Sequence, residues 1–391
     1  MANLKKFGPE HGGPLTHNWL YVRDDDEDGL YRAVASDYLH VLKIANGADF
    51  YIPHELTDVR MDVYGPHKAC HVIRVRRLPF QVRIQELTRA QALRCVLFLV
   101  DFVRYCHASH GVMPADIHEG NLLWWDRPYF VDYDAIRPLT HAWAAYTFVR
   151  IAYLLYRYVL GHELLFHEHF TFVQLRALDG WMSDQTERPD FTDPSIWTEL
   201  RDVIADMQTP PPPATHWSSE YAIAKLDDLG ANPKFAAILK LAPPGRTMID
   251  VGCNRGYTGH LLRDRYKYIL GFDKDEGCIE GARPVPEVNY ACFGIEHLDY
   301  QTRRDEAHPI LGRFSADVVV ALAVTHHFDT LKLPVSMVAR VLAGLTKKHL
   351  LIEDIANVGD YNQQFREHGL VVADHCPSYP SGRTLTLWKR G

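Results

Sequence analysis

Met248-Ile249-Asp250-Val251-Gly252-Cys253-Asn254-Arg255-Gly256-Tyr257 is an apolar run that breaks into a turn carrying two glycines. Apolar residues ending in such a turn suit a buried parallel strand, and Gly252 and Gly256 let the backbone pass close to a ligand. A second strand-like run covers 268–272, with Asp273 at its far end, where a carboxylate accepts both hydroxyls of a ribose. Further strand-like runs at 288–293, 316–323, 349–353 and 384–388 alternate with helical runs. That alternation predicts a mostly parallel, doubly wound α/β sheet. The fourth run is read as continuing through Ala323 into Thr325-His326-His327, with the two imidazoles on opposite faces of the strand and one of them reaching a pocket.

Upstream, Thr209-Pro210-Pro211-Pro212-Pro213-Ala214 removes four backbone donors and fixes an extended chain. It is the expected boundary: residues 1–206 form one domain, 207–216 a linker and 217–391 a second domain. Within the first part, 30–36 and 38–45 read as strands, and 71–78 alternates apolar with cationic residues. A solvent-facing strand explains that alternation, and a phosphate-gripping surface is the alternative. Residues 87–108 carry one apolar stripe at helical spacing, with Thr88 as the start and Gly111 as the stop. Residues 141–206 read as helical, and the acidic cluster 24–28 as a solvated turn.

The chain has 391 residues, enough for two domains with separate cores. A formal net charge of -7 disfavours broad attraction to nucleic acid or anionic membrane. The seven cysteines are scattered without C-x-x-C spacing, as expected of reduced thiols in a cytoplasmic protein. The run 142–160 is interrupted by Arg150 and Arg157, so it reads as a buried helix rather than a transmembrane segment.

The loop Asp116-Ile117-His118-Glu119-Gly120-Asn121 is followed by an apolar strand and Asp132-Tyr133-Asp134. Phosphoryl transfer needs few groups: a carboxylate to orient and deprotonate a hydroxyl, and oxygen ligands for magnesium. Asp116 suits the first role, and Asn121 and Asp132 the second. This motif pair resembles the protein kinase-like superfamily, and more closely its aminoglycoside and choline phosphotransferases. The resemblance implies a two-lobe α+β domain that uses ATP and Mg2+, with Lys43 on the nucleotide phosphates and Glu55 as its acidic partner. No G-x-G-x-x-G occurs in the first hundred residues, and Pro114 stands where many of those relatives carry histidine.

The glycine turn with Asp273 resembles class I S-adenosylmethionine methyltransferases, a Rossmann-like fold. That resemblance implies cofactor binding by Asp250, Gly252, Asn254, Gly256, Asp273, Ile295 and Glu296, with His326 or His327 as a base beside the acceptor. A similar asparagine-bearing loop, G-C-N-x-G, occurs in methyltransferases of RNA 5′ phosphates. The pairing of the two parts resembles bifunctional kinase-methyltransferases that cap O-antigen polysaccharide, with the domain order reversed. It implies phosphorylation of a hydroxyl on a glycan or small molecule, followed by methylation of the product, and the acidic balance argues against a nucleic acid partner. The alternative is a methyltransferase of a small molecule or an RNA 5′ phosphate, joined to an inactive kinase-like binding module.

Overall fold

Alternating short apolar strands and amphipathic helices in the second half leave one arrangement that buries both faces of a sheet. The computed structural model of the chain has it. The described residues are 4–6, 20–23, 26, 28–35, 49–62, 69–131, 136–161, 190–207, 233–282, 284–304, 313–354, 359–378 and 382–391. The chain divides into two compact units, Met1–Leu78 with Val82–Pro210, and Pro79–Gln81 with Pro211–Gly391. Lys43, Asp132, Tyr133, Asp134 and the proline run lie outside the described residues.

The first unit contains strands β1 (Leu4–Lys6), β2 (Leu20–Arg23), β3 (Gly29–Ala35), β4 (His54–Asp62) and β5 (Ala69–Arg76). They pair antiparallel in the order β1-β2-β3-β5-β4. Two-residue β6 (Val82–Arg83) precedes the long helix α1 (Arg89–His110). Thr88 caps α1 through a reciprocal bond with Gln91, and left-handed Gly111 ends it, as the sequence predicts. Short strands β7 (Val112–Pro114), β8 (Leu122–Trp124), β9 (Pro128–Phe130) and β10 (Ile136–Pro138) follow. They form the small sheets β10-β7 and β6-β8-β9. Helix α2 (His141–Leu154) continues as a π turn at Leu155–Val159, and α3 (Pro194–Ala205) starts from an Asp193 cap.

In the second unit α4 (Pro233–Leu241) precedes β11 (Thr247–Val251), α5 (Tyr257–Leu262), β12 (Tyr268–Asp273), α6 (Glu276–Glu280) and β13 (Val288–Cys292). Next come α7 (Ile295–Arg304), β14 (Ala316–Ala321), α8 (Thr325–Thr330), α9 (Val335–Leu345) and β15 (Thr346–Asp354). Helix α10 (Gly359–Glu367) and strands β16 (Leu370–Ser378) and β17 (Arg383–Arg390) complete it. The sheet order is β13-β12-β11-β14-β15-β17-β16, parallel through β15 and antiparallel beyond. Met248, Ile269, Val318, Val320 and Leu351 pack with Phe235 and Ile238 of α4 on one face. Their strand neighbours Ile249, Val319 and Leu350 are also fully buried, so both faces are covered.

Two expectations are corrected. The sheet gains a seventh strand, β16, whose side chains are mostly exposed because it lies at the sheet edge, so it carries no apolar alternation to read. The fourth strand stops at Ala321, since Ala323 takes a left-handed backbone (φ 54°) that no strand continues through. His326 and His327 therefore lie on helix α8.

Candidate functional site

Parallel strands end together, so the turns that leave β11, β12, β13 and β14 surround one opening at the carboxyl edge of the sheet. A cavity of about 480 Å³ lies there. Its wall includes Asp250, Gly252, Asn254, Asp273, Ile295, Glu296, His326 and His327. Gly256 opens α5 directly behind this loop.

The glycine turn is held by its neighbours. Gly252 has φ 68° and Gly256 φ 78°, and a Cβ at either would run into Val324 or the Tyr290 hydroxyl. No other residue fits either position. The Gly252 N–H donates to the Phe272 carbonyl at 2.9 Å, and the Asn254 N–H to Asp273 Oδ2 at 3.0 Å. Asp273 Oδ1 accepts from the Asp275 N–H at 3.0 Å, so both carboxylate oxygens are oriented with acceptor capacity left over. Burial raises the Asp273 carboxyl above its ordinary value. Asp250 is 2% exposed, and its Oδ2 has no hydrogen-bond partner. Burial, with the charge of Asp273 nearby, pushes Asp250 up to about 8. The rings of Phe272 and Phe293 stack at 4.4 Å along the same wall. An orphaned buried acceptor, a side-chain-free cradle and an oriented carboxylate fit an adenosyl cofactor.

The opposite end, beyond β14, has different chemistry. The His326 and His327 ring centroids are 3.7 Å apart, and both residues line the cavity, from a helix rather than from the strand that was expected to send only one of them there. Consecutive residues on a helix turn by about 100° rather than the 180° of a strand, so both stay on the open side. Burial and the neighbouring His326 lower His327 to about 4, and burial and Arg383 lower His326. In both rings burial favours the neutral imidazole, the form that carries an acceptor nitrogen. Beside them, at the end of β15, the fully buried Glu353 binds Lys234 at 2.9 Å and accepts from the Ser378 hydroxyl at 2.6 Å. Arg383 lies 3.8 Å from the same Glu353 oxygen as Lys234. Sequence reading missed Lys234, Glu353 and Arg383. The one available signal was an acid ending the apolar run Leu350-Leu351-Ile352.

In the first unit, the Asp116 loop is held from below by Thr147, which donates to the Pro114 carbonyl, and Arg150, which donates to the Ile117 carbonyl. Asn121 Nδ2 donates to the Asp116 carbonyl at 3.0 Å and reaches its carboxylate at 3.4 Å. His118 Nε2 lies 3.7 Å from the same carboxylate, whose side chain is 55% exposed. Glu55 pairs across the sheet with Arg74 at 3.4 Å, and Arg74 also binds Asp26, so the acids of this sheet answer part of its cationic face. No group of three or more metal-ligating His, Cys, Asp or Glu side chains occurs among the described residues.

The parallel sheet, the glycine turn and the acid at the end of β12 define a class I S-adenosylmethionine-dependent methyltransferase domain. Residues 220–390 match the family model described as a methyltransferase domain, in accord with that geometry. A stretch of 113 residues is 29% identical to the tRNA (carboxymethyluridine(34)-5-O)-methyltransferase of Saccharomyces cerevisiae, covering 29% of this chain. The match spans about a third of that relative's length (36%). Among solved structures, a TehB-like methyltransferase from Corynebacterium glutamicum is 17% identical over 41% of this chain and 88% of its own, at a TM-score of 0.32. The N-methyltransferase NodS from Bradyrhizobium japonicum, in complex with S-adenosylhomocysteine, is 14% identical over 42% and 90%, also at 0.32. No described helix is long and apolar enough to cross a membrane.

Proposed function

We propose that the chain is a bifunctional transferase: the first unit phosphorylates a hydroxyl of a glycan or small molecule with ATP and Mg2+, and the second methylates the product. The observation that carries the methyl-transfer half is that Asp250, the Gly252–Gly256 turn and Asp273 meet the His326 and His327 imidazoles at one cavity. S-adenosylmethionine supplies an electrophilic methyl group when bound. Asp273 would hold the ribose hydroxyls, and Ile295 and Glu296 would border the base. His326 or His327 would accept the proton of a hydroxyl acceptor at a ring nitrogen. A phosphate oxygen needs no base and only has to be held. In the first unit the observation in favour is the adjacency of Asp116 and Asn121 on one buttressed loop, an oxygen donor set of the kind magnesium takes. Asp116 would orient and deprotonate the attacking hydroxyl. Asn121 would ligate the metal together with Asp132, and Lys43 would meet the phosphates.

Incubation of candidate sugars with ATP, followed by labelled S-adenosylmethionine, tests the sequence of steps. Methyl label that depends on prior phosphorylation is the expected result, and label that is independent of ATP sinks the coupling. The likeness to a tRNA methyltransferase favours a second reading, in which the second unit methylates RNA and the first presents it. Methylation of bulk tRNA without ATP would select that reading.

A further inference from the structure

The acceptor end of the cavity contains a charged cluster that the methyl-transfer reading does not use. Glu353 is fully buried, and one of its oxygens is shared by Lys234 (2.9 Å) and Arg383 (3.8 Å) while the other takes the Ser378 hydroxyl. The Lys234 side chain is 12% exposed and that of Arg383 27%, and both line the cavity. Two cations thus meet at one buried carboxylate, and Lys234 also faces Asp250 on the same wall. Position agrees with this. Glu353 lies at the end of β15 and Arg383 at the start of β17, on the side of β11 away from Asp273 and Ile295. The cations thus stand beside His326, whose Nδ1 is buried without a hydrogen-bond partner. Three other carboxylates lie nearby: Asp250 shares the cavity wall with Lys234, Asp329 lies on α8 near His326, and Asp273 is engaged by the Asn254 and Asp275 N–H groups.

We propose that Lys234 and Arg383, positioned by Glu353, form a phosphate-monoester subsite at the acceptor end of the methyltransferase cavity. The proposal rests on the methyl-transfer reading of that cavity. Guanidinium and ammonium groups together match the charge and the several acceptor oxygens of a phosphate better than those of a monocarboxylate. Glu353 is a positioning residue. It holds Lys234 at 2.9 Å and Arg383 at 3.8 Å on one oxygen.

Calorimetric titration of the full chain saturated with S-adenosylhomocysteine tests this, with methyl phosphate, a 5′-phosphorylated RNA trinucleotide and acetate as probes. Methyl phosphate is expected to bind saturably, at least tenfold more tightly than acetate. Arg383→Ala is expected to weaken it tenfold or more while changing S-adenosylhomocysteine affinity less than threefold, with partial rescue by Arg383→Lys. Glu353→Gln should act in the same direction, and if it fails to fold the two Arg383 variants decide alone. A trinucleotide that binds tenfold more tightly than methyl phosphate, and loses this without its 5′ phosphate, assigns the monoester to an RNA end. The reverse order assigns it to a small acceptor. Equal binding of methyl phosphate and acetate, or methyl phosphate binding unchanged in Arg383→Ala, overturns the subsite. Failure of S-adenosylhomocysteine to bind the wild type instead overturns the cofactor reading, and the subsite with it.

Discussion

The two candidate sites are built on opposite plans. In the second unit the polar groups converge from the ends of several strands into one cavity, and at least one of them, Asp250, is buried with an unanswered acceptor. In the first unit Asp116 and Asn121 lie five residues apart on one loop, and the Asp116 side chain is 55% exposed. Convergence across a sheet is a property of the fold, and a buried acceptor without a donor costs free energy that a ligand would relieve. A single loop can be assembled by local turn chemistry alone. Cofactor binding therefore follows from the geometry of the second unit, whereas phosphoryl transfer by the first stands on the motif and its buttressing.

The comparison breaks most sharply at Asp116. Asp116→Ala should reduce ATP-dependent phosphorylation about 100- to 10,000-fold, the usual contribution of a positioned base, and leave S-adenosylhomocysteine affinity within about twofold on the additivity of independent sites. Phosphorylation at wild-type rate in that variant would remove the first site from the account. Gly256→Val adds a side chain at φ 78° against Tyr290. The left-handed backbone costs about 1–2 kcal/mol and overpacking about 1–3, so cofactor affinity should fall about a hundredfold when measured by titration.

Two smaller effects are read in thermal melts against pH. The folded Asp250 carboxyl, at about 8, lies above its ordinary 3.8, so its contribution is intact below 3.8 and is lost as pH rises towards 8. Asp250→Asn should then melt higher than the wild type at pH 8, by on the order of 5 °C, with the difference vanishing near pH 4. His327 has the opposite sign. Its folded value of about 4 lies below the ordinary 6.5, so the unfolded chain takes up a proton first and stability falls as pH drops from 6.5 to 4. His327→Gln should flatten that limb by about 2–4 °C, which corresponds to about 1 kcal/mol once solvent screening of a half-buried ring is allowed for.

The central strands were legible in the sequence because strands buried on both faces are apolar throughout. Thr247–Val251 and Tyr268–Asp273 are examples, each followed by a turn whose glycine or acid has a fixed job. The edge strand Leu370–Ser378 was not legible, because exposure erases alternation. His326 and His327 were misplaced for a backbone reason. Ala323 adopts φ 54° with no glycine to announce it, and the strand period was carried past Ala321, where β14 ends, as far as His327. The Glu353 cluster was out of reach because Lys234, Glu353, Ser378 and Arg383 are separated by up to 149 positions and meet only where β15, β16 and β17 pair and α4 packs against them. Lys43 and Asp132, which the sequence reading placed at the first site, lie outside the described residues.

The central claim is that the second unit holds one adenosyl cofactor with Asp273 on its ribose. Calorimetric titration of the full chain with S-adenosylhomocysteine tests it directly. One site per chain is predicted, weakened about 10- to 150-fold in Asp273→Ala, the range expected for losing hydrogen bonds to a charged acceptor. An absence of saturable binding, or an affinity unchanged by Asp273→Ala, would contradict it.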